Sequence, residues 1–581
     1  MHADLIRGYR RLSGAQIVLT GEIMRRFFTA LVLASLLVTT FPATYSQRAS
    51  DKSKKAAASV TTQRAVDTIA ANQLRNYLTF IASDEMEGRD TPSRGLDTTA
   101  KFLAMNLASW GFKPAGDDGS FFQHIELRRD RTDTGQTKVE LNGRALTAGA
   151  DFLPAGGSGN VSGQLVFAGN GWLIKSKEID AYKGVDPAGK IAVIVGTPNT
   201  FPRGITRADY GKQGEDYMSP IDYARSKGVV GLIYIPDFQY LANWQRIRQR
   251  IMERGSTVVA KFQTQAAPSL PSIVISPETA QALFAGESQT AAGIFNASYG
   301  NSLPSAFAMR DTKKVSMNVA SNSEAVPTQN VVAVWEGSDP VLKAEYVALG
   351  AHYDHVGNGC PPVGNDTICN GADDDGSGTT ALLGMAEALA KAPTRPKRSV
   401  LFVWHCGEEK GLWGSRYFTE YPTVPLNQIV AQINIDMIGR SKKDGDTNPR
   451  NAELTGPDAV YVIGSTMMST ELGELVNAVN KSFLNITFDT RYDDPKDPNR
   501  FFFRSDHYNY ARKGIPIIFF FDGVHEDYHR AGDSPDKIDY QKMEKVTRTV
   551  YMTVWEIANR PTRLKVDKPL PAQITATDSR E

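Results

Sequence analysis

The sequence predicts a mixed, mostly parallel α/β sheet flanked by helices, with a β-rich domain inserted into it. Two observations carry that expectation. From Asn330 onward the apolar runs NVVAVWE, YVALGAH, SVLFVWH, IVAQINID and IPIIFFFD alternate with helical patterns such as 378–391 and 469–483, the order of buried strands and covering helices in α/β proteins. Between about 141 and 300, short β-like runs (QLVFAG, KIAVIVG, VVGLIYI, PSIVIS) are punctuated by glycine and proline around a helical piece at 220–227. That segment reads as a self-contained unit set between two pieces of another.

At 581 residues the chain is too long for one ordinary domain. The expected division is a signal peptide with an extra leader at 1–47, a polar linker at 48–63, and the first part of the α/β domain at 64–140. The insert at 141–304, the second part of the α/β domain at 305–561 and a tail at 562–581 follow. The signal peptide rests on Arg25 and Arg26 after Met24, the apolar run 27–38, and small and polar residues near Ser46. That run is too short to span a bilayer comfortably. The expected location is therefore secreted or periplasmic, without stable membrane insertion after cleavage. No cysteine at the cleavage region supports a lipid anchor. In an oxidising compartment Cys360 and Cys369 are expected to pair, and Cys406 reads as a small buried thiol. A net charge of +1 gives no reason to expect nucleic acid as a partner. Oligomeric state is not specified.

Apolar residues recur at helical spacing over 65–82 and again over 96–110. The acidic stretch IASDEMEGRDTPSRG between them reads as a solvated loop, and the proline-bearing tail after Arg560 as extended chain.

Chemistry gathers where the apolar runs end. HYDH (352–355) and the acidic NGADDDGSG (370–378) follow the run ending at Gly350, the position where α/β sheets place ligands. His352 and Asp354 alternate with Tyr353, so one can bind a metal while the other orients it. Asp373, Asp374 and Asp375, then Glu408 and Glu409 in WHCGEEKGLWGS, Asp436 in INIDMIG and His529 in DYHRAGDSPDKI complete the candidates. Imidazole with carboxylate suits zinc better than calcium. Two zinc ions and three ligating carboxylates leave a slight positive charge, which favours a bound hydroxide as nucleophile. Of the adjacent glutamates one can ligate while the other serves as general base. Asp436, closing an apolar run, is costly there unless paired or metal-bound.

In this order the motifs resemble the co-catalytic zinc exopeptidases, family 28 of the metallopeptidases, which includes aminopeptidases and glutamate carboxypeptidases and has a phosphorylase/hydrolase-like fold. The stretch around SDEMEGRD resembles that family's amino-terminal piece. LVFAGNGW, KIAVIVG and ARSKGVVGLIYI resemble its inserted protease-associated domain. The resemblance implies two zinc ions, divided between His352 with Glu409 or Asp436, and bridged by Asp374 through a cis peptide to Asp375. It implies further that His529 completes the shell beside Asp436, that Glu408 is the base, and that Asp354 stands behind His352. Arg504, in RSDHYNYARKGIP, would contact the polar end of the substrate with Asp506 behind it, and Tyr528 would stabilise the oxyanion. His355, His405, Cys406, His507 and His525 lie near these motifs without being needed by them. The implied function is hydrolysis of amino-terminal residues from peptides. The rival expectations are a carboxypeptidase releasing acidic residues, a single-zinc enzyme like glutaminyl cyclase, and a non-catalytic binding ectodomain.

Overall fold

In the computed structural model, which describes residues 65–570 apart from 198–199, 207–208, 264–269 and 301, nine strands lie side by side in the first sheet. They are β1 (Phe122–Thr132), β2 (Ser256–Val259), β3 (Ser321–Trp335), β4 (Tyr346–His352), β5 (Ser399–His405), β6 (Ile429–Ile435), β7 (Ala459–Ile463), β8 (Thr487–Asp489) and β9 (Ile517–Phe521), in the spatial order β2-β1-β3-β5-β4-β6-β9-β7-β8. A short tenth strand, Lys113–Pro114, pairs with β3. The signal peptide, the linker and the last eleven residues of the tail lie outside the described residues.

The centre of this sheet is parallel: β4 pairs with β5 and β6, and β6 with β9. Towards the edges the pairs β1–β3, β3–β5 and β7–β9 are antiparallel. All of β5, β6 and β9 is buried, which is why these strands read as continuous apolar runs rather than alternating ones. Helices Ala71–Ile81, Arg94–Ser109, Gly376–Lys391, Thr470–Ser482 and Tyr540–Asn559 cover one face, through residues such as Leu74, Leu103, Leu382, Val476 and Val550. Shorter helices, Trp413–Glu420 and His507–Arg512, supply Phe418 and Tyr510 to the cluster on the other face.

The stretch expected as a solvated loop after the first helix is packed instead. Met86, Gly88 and Arg89 are buried in a short helical turn, Asp84–Arg89. Arg89 donates to the carbonyls of Ile81, Tyr353, Asn370 and Gly371. Its charge, which suggested solvent, is spent on main-chain oxygens that would otherwise lack partners.

The second sheet has nine strands, with Lys314–Val319 and Ile191–Val195 flanking Gly159–Phe167, and Gly231–Ile235 beyond. It departs from the expected insert in three ways. Lys314–Val319 belongs to it, beyond the expected boundary at 304. Ser256–Val259 leaves it to form the edge strand β2 of the first sheet. It also carries helices Pro277–Phe284 and Ala291–Tyr299, capped by Ser276 and Thr290, whose short apolar faces give too few turns for a periodic signal. Residues 561–570 form no regular element, yet Arg563 pairs with Glu345 at 2.7 Å and Leu564 is buried.

Candidate metal centre

The candidate residues stand at the carboxyl ends of β4, β5, β6 and β9, where the parallel centre of the sheet opens its loops. His352 is the last residue of β4 and Asp436 follows β6 directly. Glu408 and Glu409 lie in a short helical turn after β5, entered through Gly407 at φ 66°. A β-carbon on Gly407 would stand 3.0 Å from that of Trp413, so the turn that presents the two glutamates requires glycine there.

Asp375 ties these ends together. Its carboxylate caps the helix Gly376–Lys391 by accepting from Gly378 N–H, and accepts as well from the N–H groups of His352 and Met437. The peptide joining it to Asp374 is cis. Burial pushes its carboxyl well above the usual range, and Asp436 and Asp374 reinforce that against His352. Asp374 is presented by a second clamp, in which Asp533 accepts from the N–H groups of Asp373 and Asp374.

Asp374 divides the site in two. Its Oδ1 lies 3.3 Å from His352 Nε2, and that nitrogen is 3.6 Å from Asp436 Oδ1. Its Oδ2 lies 3.2 Å from His529 Nε2, which is 3.0 Å from Glu409 Oε2. The expectation that His529 stands beside Asp436 is therefore corrected: the loop after β9 delivers it to the Glu409 side, and Asp374 separates it from Asp436. His352 groups with Asp436 rather than with Glu409.

His355, not needed by the sequence pattern, belongs to the Glu409 side. Its Nδ1 is 2.8 Å from Glu409 Oε1 and 3.6 Å from Asp374 Oδ2. The signal that could have found it is the second histidine of HYDH. Asp374 Oδ2, Glu409 Oε1 and His529 Nε2 are buried and without hydrogen-bond partners. Buried polar atoms of this kind are costly unless something charged completes them. Imidazole and carboxylate converging on the two sides of one aspartate fit binding of cations of the zinc class.

The neighbouring residues hold or line this centre. His352 Nδ1 lies 3.1 Å from the main-chain oxygen of Asp354 and 3.6 Å from its carboxylate, which also accepts from Glu408 N–H. Glu408 is 3.9 Å from His352 Nε2 and faces a cleft, together with Asp374, Asp436, Phe501, Arg504, Phe519 and Tyr528. Burial pushes its carboxyl well above the ordinary range; Glu409, Asp436 and Asp506 add to this and His352 opposes it. Asp374 goes the other way: burial would raise it, but His355, His352 and His529 hold it well below. Tyr528 stacks on His529 with ring centres 3.9 Å apart, and Arg504 Nη2 lies 3.4 Å from its hydroxyl. Burial raises the Tyr528 phenol, which stays protonated.

The remaining residues stand outside the cluster. His405 is buried, with Asp506 3.2 Å from its Nδ1 and Tyr510 3.0 Å from its Nε2. Asp506, expected behind Arg504, is thus engaged with His405. Cys406 packs into the core. His507 stacks on Phe519, and His525 Nε2 faces Asp373 at 3.4 Å. Cys360 and Cys369 are bonded, with Cα atoms 5.9 Å apart, and the Cys360 sulfur lies 3.7 Å from the His529 carbonyl.

Among known proteins, residues 330–554 match the profile of peptidase family M28. The chain is 27% identical over 255 residues to a probable zinc metalloprotease of Pyrenophora tritici-repentis, covering 40% of this chain and 57% of that protein. It is 27% identical over 282 residues to leucine aminopeptidase 2 of Trichophyton rubrum, covering 44% of this chain and 50% of that one. It spans about half the length of the curated relatives it matches. An aminopeptidase from Aneurinibacillus sp. strain AM-1 shares the fold, with a TM-score of 0.50 over 87% of this chain and 98% of that chain at 16% identity. The likeness to peptidase family M28 lies in residues 330–554.

Proposed function

We propose that this protein is a zinc-dependent exopeptidase that removes amino-terminal residues from peptides. The observation that carries the reading is Asp374, whose two carboxylate oxygens face separate sets of donors while Glu408 lines the cleft beside them. His352 and Asp436 would hold one cation, Glu409 and His529 the other, with Asp374 shared. The chemistry such ions supply is Lewis acidity, polarising a carbonyl and acidifying water near neutral pH.

The chain's own residues do the rest. Glu408, whose carboxyl sits well above the ordinary range, takes a proton from the attacking water and returns it to the leaving amine. Asp354 orients His352 with its main-chain oxygen at Nδ1 and fixes the Glu408 backbone with its carboxylate. Tyr528 faces the cleft as a protonated phenol and donates to the developing oxyanion. Arg504, the cation among the named cleft residues, meets a polar end of the substrate.

The second sheet is proposed to be a protease-associated domain that limits access to the cleft. The signal-like segment favours a secreted or periplasmic enzyme. Among the described residues no helix is long and apolar enough to cross a membrane.

The test is a panel of free-amine, amine-blocked and carboxyl-terminal glutamate peptides, run with chelator and with zinc restored. Release of the first residue from free-amine peptides alone, lost with chelator and regained with zinc, is expected. Cleavage of blocked peptides would remove the aminopeptidase reading, and release of terminal glutamate would replace it with a carboxypeptidase.

A further inference from the structure

We propose that His355 is a protein ligand of the cation on the Glu409 side, through Nδ1, so that the two halves of the centre are unequal. This rests on the two-cation reading above but not on what the substrate is.

The geometry comes first. His355 Nδ1 lies 2.8 Å from Glu409 Oε1 and 3.6 Å from Asp374 Oδ2, while His529 Nε2 lies 3.0 Å from Glu409 Oε2 and 3.2 Å from Asp374 Oδ2. Donors bound at about 2.0–2.2 Å around a tetrahedral zinc stand roughly 3.3–3.6 Å from one another. The spacings to Asp374, 3.6 and 3.2 Å, lie at or next to that range, and those to Glu409, 2.8 and 3.0 Å, fall short of it.

A separation of 2.8 Å between His355 Nδ1 and Glu409 Oε1 suits a hydrogen bond in length, yet both atoms are buried without a hydrogen-bond partner. Asp374 Oδ2 and His529 Nε2 are orphaned in the same way. Four buried atoms on one side of Asp374 therefore lack hydrogen-bond partners, and His355, Asp374 and Glu409 bring their donor atoms within 4.8 Å of one another.

The surroundings hold the ring in this place. The His355 N–H donates to the Arg89 carbonyl, and the side chain is wholly buried. The ring fills the space beside Gly371, at φ 57°, where a β-carbon would lie 2.5 Å from His355 Cγ and 2.6 Å from Cδ2. An imidazole placed this firmly needs no rotamer search to reach a cation.

A site closed by four protein donors is the arrangement of structural zinc, whereas a site with three keeps a position open for substrate. The His352 side has His352, Asp374 and Asp436, and Asp436 and Glu408 both line the cleft. With His355 added to Asp374, Glu409 and His529, the position left open would belong to the His352 side.

The metal alone tests this. A crystal structure of the zinc-loaded wild-type protein is expected to show His355 Nδ1 about 2.0–2.1 Å from the second ion. A ring more than 3 Å from that ion, donating to Glu409 instead, would overturn the proposal. In solution, dialysis against a graded zinc chelator should leave two zinc ions on the wild type at a chelator strength that leaves one on His355→Ala and His355→Gln. Retention of the wild-type ratio in both variants would also overturn it. The wild-type crystal structure decides even where a variant fails to fold, and neither readout involves peptide turnover.

Discussion

Glu408 stands 3.9 Å from His352 Nε2, and its carboxyl is pushed up first by burial and then by its acidic neighbours. A glutamine there keeps the shape and removes proton transfer. Glu408→Gln is expected to lower kcat by about 10²–10⁴-fold, with zinc content by metal analysis unchanged; a variant that turned over normally would end its role as base. His507 makes a different kind of prediction. Buried against Phe519, it has its pKa lowered to about 3, because burial disfavours the charged ring. An unfolded histidine titrates near 6.5, so between those values the unfolded chain binds the extra proton. Stability is then fully present above about pH 6.5 and falls as pH drops towards 3, by up to about 1.4 kcal/mol per unit. His507→Phe, which keeps the stack, should flatten the acid limb of urea-derived stability against pH. An unchanged limb would mean that the ring is not held neutral.

Arg89 shows what joins separate elements beneath the metal loop. Its guanidinium binds carbonyls at the end of the first helix, at Tyr353 beyond β4, and at Asn370 and Gly371 before the acidic triplet. Lysine is a point charge without the planar fork needed for that set. Arg89→Lys is expected to cost about 3–5 kcal/mol in denaturant unfolding, the scale of breaking a buried charged network. Zinc affinity should fall with it, because the Asp374 loop loses its anchor. A loss under 1 kcal/mol would mean that water satisfies those carbonyls. None of this was legible in SDEMEGRD, where acidic residues suggest solvent and three of the four carbonyls that Arg89 binds are some 260 to 280 positions away. The strands were legible because β4, β5, β6 and β9 are buried on both faces and so spell continuous apolar runs. His352, Asp374, Glu409, Asp436 and His529 could be picked out because each ends or closely follows such a run or its loop. Which histidine faces which carboxylate was not legible. It depends on the two faces of one side chain, Asp374, and only the folded loops set those, as the positions of His529 and His355 show.

At the scale of the whole molecule, the two sheets have separate cores. The first buries Leu382, Phe402 and Val550 on one face and Phe418 and Phe519 on the other; the second buries Ile191, Ile233 and Ile273 in its own cluster. They are stitched by β3, whose chain enters directly from Lys314–Val319, and by β2. After β2, Lys261 lies over Tyr417 and Tyr421, and Arg416 lies over Phe262, so the strap holds the helix that follows the Glu408 turn. All the candidate metal donors belong to the first sheet and its loops. A ligand that binds only one unit stabilises that unit, by about 2.7 kcal/mol at a hundred times its dissociation constant. Calorimetry of the zinc-loaded protein is therefore expected to show two transitions. Chelation should lower one of them and leave the other in place. Replacing Lys261 and Phe262 with alanine should widen the gap by loosening the strap. One transition that shifts as a whole on chelation would mean that β2 and β3 couple the cores into a single cooperative unit, so that metal lost at Asp374 is felt across both sheets.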